Sequence, residues 1–204
     1  MAVYKFKTNS LKTPLKYSSF LAGNDAFDPG AFQSIATTTL SSDTATITFS
    51  SIPSTYTHLQ IRIMDRNTRS VNGLGGSVRI KFNSDSTSGN YNSHRLLGEP
   101  TTVYSGSYVG TTDGAYIAES MSDSATSGIF TATIVDILDY KNTSKYKTTR
   151  SLGGGNTNIT SGDGAYVFSG LWQSTSAIST ITLTVPAYSW KQYSSFALYG
   201  IKGA

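Results

Sequence analysis

His58 and His94 are the only imidazoles in this 204-residue chain, so a Ser-His type of catalytic triad would have to take its base from one of them. Neither accompanies a G-x-S-x-G elbow, and both read as ordinary surface or interface residues. The best acidic pair is Asp136 and Asp139, in Ile134-Val-Asp-Ile-Leu-Asp-Tyr140. A separation of three puts them on opposite faces of a regular strand. Alternatively, Asp139 starts a turn over Asp139-Tyr-Lys-Asn-Thr143 and caps local amides. A glycosidase needs two carboxylates across a cleft, and calcium needs several around one loop. Nothing among the 12 acids marks either arrangement. Gly73-Leu-Gly-Gly-Ser77 and Gly153-Gly-Gly155 lack the Walker lysine and the dinucleotide spacing, so they read as β connections. With no cysteine, a disulfide scaffold, a zinc ribbon, an iron–sulfur cluster and a thiol nucleophile are excluded together. The expectation is a protein without enzymatic activity, metal or cofactor.

Aromatic side chains are the remaining chemistry. Trp172, in Phe168-Ser-Gly-Leu-Trp172, reads as part of a buried strand. Trp190, beside Lys191, is the better candidate for an exposed sugar-stacking platform, although packing is the commoner use of such a ring.

Charge separates the chain into two parts. Lys5, Lys7, Lys12 and Lys16 precede the first acid, Asp25, so the leader carries the whole net charge of +4, and the 12 basic residues that follow cancel the 12 acids. The same leader holds Tyr4, Phe6, Leu11, Leu15, Tyr17, Phe20 and Leu21 at irregular spacing, with Pro14 blocking a long helix. Residues 1–30 therefore read as an extended arm. A solvated terminus is the plain account. Docking is favoured, with aromatic anchors entering a partner's pockets and lysines meeting its acidic surface. Four lysines without arginine give too weak a footprint for a nucleic-acid partner. No run approaches the 18 apolar residues of a membrane span, and lysines interrupt the N-terminus before a signal-peptide core could form. The chain is read as soluble and unprocessed, with no membrane partner.

These side chains must be placed by strands. From about residue 33, ten short runs show β-branched or aromatic enrichment: QSIATTTL, ATITFS, THLQIRIM, SVRIKF, YNSHRLL, IFTATIVDIL, KYKTTRSL, AYVFSGLW, AISTITLTV and YSSFALYGIK. In THLQIRIM, Thr57, Leu59, Ile61 and Ile63 face one way and His58, Gln60 and Arg62 the other. Asn72-Gly73, Asp85 to Asn90, Asp113-Gly114, the Gly153 run and Asp163-Gly164 supply turns. Helical periodicity is missing beyond a turn near Asp139 to Ser144. With 31 Ser and 28 Thr against 14% charged residues, the surface is solvated by hydroxyls more than by ions. Residues 31–204 are expected to form an all-β, two-sheet antiparallel sandwich of jelly-roll type, preceded by the arm.

Ser51-Ile-Pro-Ser-Thr-Tyr-Thr-His-Leu-Gln-Ile-Arg62, Val135-Asp-Ile-Leu-Asp-Tyr140 with Ser144-Lys-Tyr-Lys-Thr148, Gly170-Leu-Trp172 with Ala177-Ile-Ser-Thr-Ile-Thr182, and Tyr193-Ser-Ser-Phe-Ala-Leu-Tyr-Gly-Ile-Lys-Gly203 resemble a family of virion-associated proteins of tailed, especially aquatic, bacteriophages. The likeness spans most of the chain, and Lys5-Phe-Lys to Ala22-Gly-Asn24 is similar to the leader of some members. The resemblance implies a noncatalytic β-sandwich on the virion and carries over no functional residues. The expectation is an exterior head-decoration or cement protein, on the outer surface of the particle, that forms homo-oligomers. Its arm would bind the major capsid protein or a tail protein. The alternative is a tail-fibre or tail-appendage module that recognises a host surface glycan.

Overall fold

The computed structural model describes residues 31–157 and 162–203, and within them every regular element is a strand. In chain order they are β1 (Phe32–Thr39), β2 (Thr46–Phe49), β3 (His58–Asp65), β4 (Leu74–Phe82), β5 (Tyr91–Gly98), β6 (Val103–Thr111), β7 (Ala115–Met121), β8 (Thr131–Ile137), β9 (Lys147–Gly155), β10 (Gly164–Trp172), β11 (Ile181–Thr184) and β12 (Ser195–Ile201). All ten expected runs are strands. Two further ones, β6 and β7, lie in a stretch rich in Gly, Ser and Ala whose β signal is weak.

The strands form two antiparallel sheets, one of eight in the order β1-β12-β3-β8-β9-β10-β5-β6 and one of four in the order β2-β11-β4-β7. Without the β5–β6 and β9–β10 hairpins, the sheets reduce to β1-β12-β3-β8 facing β2-β11-β4-β7, the two interlocked Greek keys of a jelly roll. Both hairpins then extend the same edge of the same sheet, carrying it four strands beyond β8.

The core between the sheets is built by alternation. Leu59, Ile61 and Ile63 of β3, Val135 and Ile137 of β8, and Phe196 and Leu198 of β12 meet Val78, Ile80 and Phe82 of β4 and Ile181 and Leu183 of β11, all fully or almost fully buried. Each such side chain stabilises the fold by about 1.5–3 kcal/mol. Trp190 belongs to this core. It has 0% exposure and meets Phe196 edge-on at 5.0 Å, which bears out packing as the commoner use of such a ring and corrects the suggestion of exposure drawn from its neighbour. Its neighbour Lys191 faces outward to Asp43 and Asp123, and that polar neighbour was a poor guide to the ring.

The glycine run at 153–155 is also corrected. It lies within β9 and makes no turn. A Cβ at Gly153 would stand 2.7 Å from the Ala132 carbonyl oxygen and from the Tyr166 ring, and one at Gly155 would stand 2.7 Å from the Met121 Sδ-methyl. The strand is stripped of side chains there so that β7 and Tyr166 can lie against it.

β7 is an edge strand of the small sheet, yet it passes over β8, β9, β10 and β5 of the large one. Side chains of the large sheet supply the partners that a neighbouring strand would have given. The Tyr116 N–H donates to Ser93 Oγ of β5 at 2.9 Å, Ser151 of β9 donates to the Ile117 carbonyl, and Tyr166 of β10 donates to the Glu119 carbonyl at 2.8 Å. Three backbone groups of the β7 edge, between Tyr116 and Glu119, are thus closed by hydroxyls. This explains why the inner face of the extension carries Ser and Thr where a core would carry Val and Ile.

Candidate assembly surface

Of the residues first considered for catalysis, the structure brings His58 and Asp139 together, with Nδ1 3.6 Å from Oδ1, and leaves His94 apart. His58, on β3, accepts the Asp139 N–H at Nδ1, 3.0 Å away, whereas His94 lies on the outward side of β5 with β8, β9 and β10 between them. Asp136 accepts a hydrogen bond from Gln60 at 3.0 Å and pairs with Arg150 at 3.4 Å. Asp139 is bound by Lys145 at 2.5 Å, and that hydrogen bond holds its carboxyl below the usual carboxylate range. Amide capping in this turn comes from Asn142, which accepts the Ser144 N–H, and not from the Asp139 carboxylate as expected. Each acid therefore has its own cation, and the two do not form an acid–base couple. Among the described residues no three His, Cys, Asp or Glu side chains cluster closely enough for a metal ion. Trp172 is buried and donates from Nε1 to Asp85 at 2.7 Å. Burial opposes the Asp85 charge, but hydrogen bonds from Trp172, Asn90 and Thr87 outweigh it and hold the carboxyl well below its ordinary value. The arm residues Tyr4, Lys5, Phe6, Lys7, Leu11, Lys12, Leu15, Lys16, Tyr17 and Phe20 lie outside the described residues.

The surface that stands out is the outward face of the large sheet. Pairing register places Met64, Ala132, Gly154, Ala165, Gly98 and Val103 opposite one another in a row across six strands. The next row is Arg62, Ile134, Leu152, Val167 and Leu96, ending at Ser105 on β6. Leu152 is 62% exposed and Val103 70%, with Met64, Ile134, Val167 and Leu96 also open to solvent. Register thus gathers six exposed apolar side chains on one side of the sheet, the kind of clustering that marks an interaction surface. Two shallow hollows of about 520 and 400 Å³ lie on this face, one around Met64, Ile134 and Tyr199 and the other between Arg150, Leu152 and Val167.

A polar row borders the patch, with Gln60, Asp136, Arg150, Ser169 and His94 in register. At one flank, the Arg62 guanidinium lies 5.3 Å from the Phe32 ring and 5.2 Å from the Tyr199 ring, and these rings stack at 4.8 Å. A dry centre, a charged border and aromatic–arginine anchors are the anatomy of a protein–protein interface.

A second feature lies on the other side of the extension. A recess of about 260 Å³ is lined by Arg69, Arg95, Glu99, Tyr104, Glu119 and Ser77. Arg95 reaches Glu119 at 2.6 Å, and burial raises the Glu119 pKa against the pull of that guanidinium. Beside the recess, Tyr108 stacks on Tyr116 at 3.9 Å, with the Arg79 guanidinium 4.3 Å from the Tyr116 ring centre. Compared with protein-family models, curated proteins and solved structures, the chain matches none.

Proposed function

We propose that this protein is a non-enzymatic structural component of a tailed-bacteriophage particle, a head-decoration or cement protein on its outer surface. In this reading the lysines and aromatic residues of segment 1–30 fasten it to the major capsid protein or to a tail protein. The observation that carries the reading is the apolar outward face of the large sheet, a surface whose burial in an assembly is favourable. The resemblance of its strand and C-terminal segments to virion-associated proteins supplies the particle. Many copies bound through modest contacts would add by multivalency.

The test is to locate and count the protein in purified particles by electron microscopy. A full-length variant with Lys5, Lys7, Lys12 and Lys16 all changed to Glu is then compared with wild type. The expected result is a regular array on the particle surface and loss of the variant from particles while its folding is unchanged. Wild-type occupancy by the variant, or absence of the protein from particles, contradicts the reading.

The recess supports a second reading, a tail-appendage module that recognises host glycan. An exposed tyrosine beside arginine and glutamate is the kind of surface that stacks on a sugar ring and hydrogen-bonds its hydroxyls. Glycan-array binding lost on changing Tyr104 to Ala favours it, and absence of binding favours decoration.

A further inference from the structure

Edge strands of soluble sheets are usually blunted by brevity, bulges, charge, proline or a covering element. Three of the four edges here are managed in such ways. β2 is only four residues long, β1 carries a bulge between Ser34 and Ala36, and β7 is closed by hydroxyls of the large sheet. Among the described residues nothing covers β6, and along residues 103–109 it has none of the other protections. It is nine residues long, ends the eight-stranded sheet, and contains neither proline nor a charged residue. Its Val103 and Val109 are 70% and 76% exposed. The irregularity in its pairing with β5 falls beyond Val109, near Gly110, so residues 103–109 form a regular strand.

Those seven residues, Val103-Tyr104-Ser105-Gly106-Ser107-Tyr108-Val109, read the same in both directions about Gly106. When two copies of one strand pair antiparallel about a two-fold axis, residue i of one copy lies opposite residue j of the other with i plus j constant. With the axis at Gly106, Val103 meets Val109 of the second copy, Tyr104 meets Tyr108, and Ser105 meets Ser107. Every position then faces its own residue type. Facing residues share a side of the sheet, as pairing requires: Val103, Ser105, Ser107 and Val109 point outward, and Tyr104 and Tyr108 point to the other face.

We infer that β6 is a self-pairing edge, and that two copies of this chain join through it to make one continuous sheet from two eight-stranded ones. Main-chain hydrogen bonds supply the attachment, and the like-to-like side-chain pairs set the register. Tyr104 of the second copy extends the existing stack of Tyr108 on Tyr116. Outward, Val109 of the second copy prolongs the row that ends in Val103 by one apolar residue. This pairing names the homo-oligomeric contact within the structural role proposed above.

The test is sedimentation equilibrium of the full chain and of two variants at Ser105 and Ser107, both exposed. Wild type is expected at twice the 21.8 kDa chain mass. S105K/S107K puts lysine opposite lysine at both positions and is expected to be monomeric, with an unfolding curve like that of wild type. S105K/S107E puts lysine opposite glutamate in this register alone and is expected to recover the dimer. A monomeric wild type, a dimeric S105K/S107K, or a monomeric S105K/S107E overturns the inference.

If the charge variants fail to fold, Gly106→Cys reads the same contact. The chain has no other cysteine, and the nearest atoms to a Cβ at this position belong to the Tyr108 side chain, at an ordinary contact distance of 3.6 Å. Mild oxidation is expected to give a crosslinked dimer, and a product that stays monomeric overturns the inference. A monomer found on particles removes the pairing and leaves the structural role standing, whereas a dimer absent from particles does the reverse.

Discussion

β6 and β7 follow one another in the chain, touch through the Tyr108–Tyr116 stack, and each ends its own sheet, yet their free edges are treated oppositely. The β7 edge turns inward and is closed by Ser93, Ser151 and Tyr166, while the β6 edge meets no strand among the described residues and carries exposed valines. The difference shows how a sheet can be enlarged and still leave one chosen side available. The β5–β6 and β9–β10 hairpins widen the large sheet past its partner, β7 is used up in covering the new inner face, and the open edge moves outward to β6. A sealed edge fixes the fold, and an open one is free for assembly.

Breaking the seal should have the largest effect. S151A/Y166F removes the donors to the Ile117 and Glu119 carbonyls and leaves both buried without a partner, at about 1–3 kcal/mol each. Urea unfolding should show a loss of about 4 kcal/mol in the double variant. A change below 1 kcal/mol would mean that the hydroxyls do not hold the edge.

Next comes the acid beneath the seal. Asp65 is fully buried, and burial raises its pKa to about 6, partly opposed by hydrogen bonds from Ser120 of β7 and Thr131 of β8. The folded state therefore holds this proton more tightly than the unfolded state, whose value is near 3.8. The stabilisation from protonation is complete below the unfolded value and is lost as pH rises through about 6. Asp65→Asn should be more stable than wild type by up to about 3 kcal/mol at pH 8, and the gain should disappear near pH 4. A gain independent of pH would contradict an ionised Asp65 under β7.

On the open side, S105K/S107K should change the stability of the individual subunit by no more than about 0.5 kcal/mol, because both positions face solvent. The smallest effect is expected at Leu152→Gln on the outward face, again within about 0.5 kcal/mol, accompanied by higher solubility. Loss of folding in either case would place those residues in the core.

Much of this architecture was legible in the residues, and the exceptions share one cause. Alternation in THLQIRIM marked β3 correctly because Leu59, Ile61 and Ile63 are the larger apolar set and do face the core. In β8 and β9 the same alternation does not say which side is inside. Thr131, Thr133, Thr149 and Ser151 point inward, and Ala132, Ile134 and Leu152 point outward. Period two fixes that faces alternate, while the choice of face depends on what covers them, here the polar edge of β7. β7 itself escaped notice because Ala118, Glu119 and Ser120 are all buried, which hides its period. The outward apolar face could not be read before register was known, since its residues lie up to 71 positions apart in sequence but side by side across β5 to β10.

Amide hydrogen exchange of the full chain, followed at low and high protein concentration, tests the contrast between the two edges most directly. The account predicts slow exchange throughout β7 at every concentration, and exchange at residues 103–109 that is fast in dilute solution and slows as dimer forms. Protection of residues 103–109 that is independent of concentration, or fast exchange at Tyr116 in β7, would contradict it.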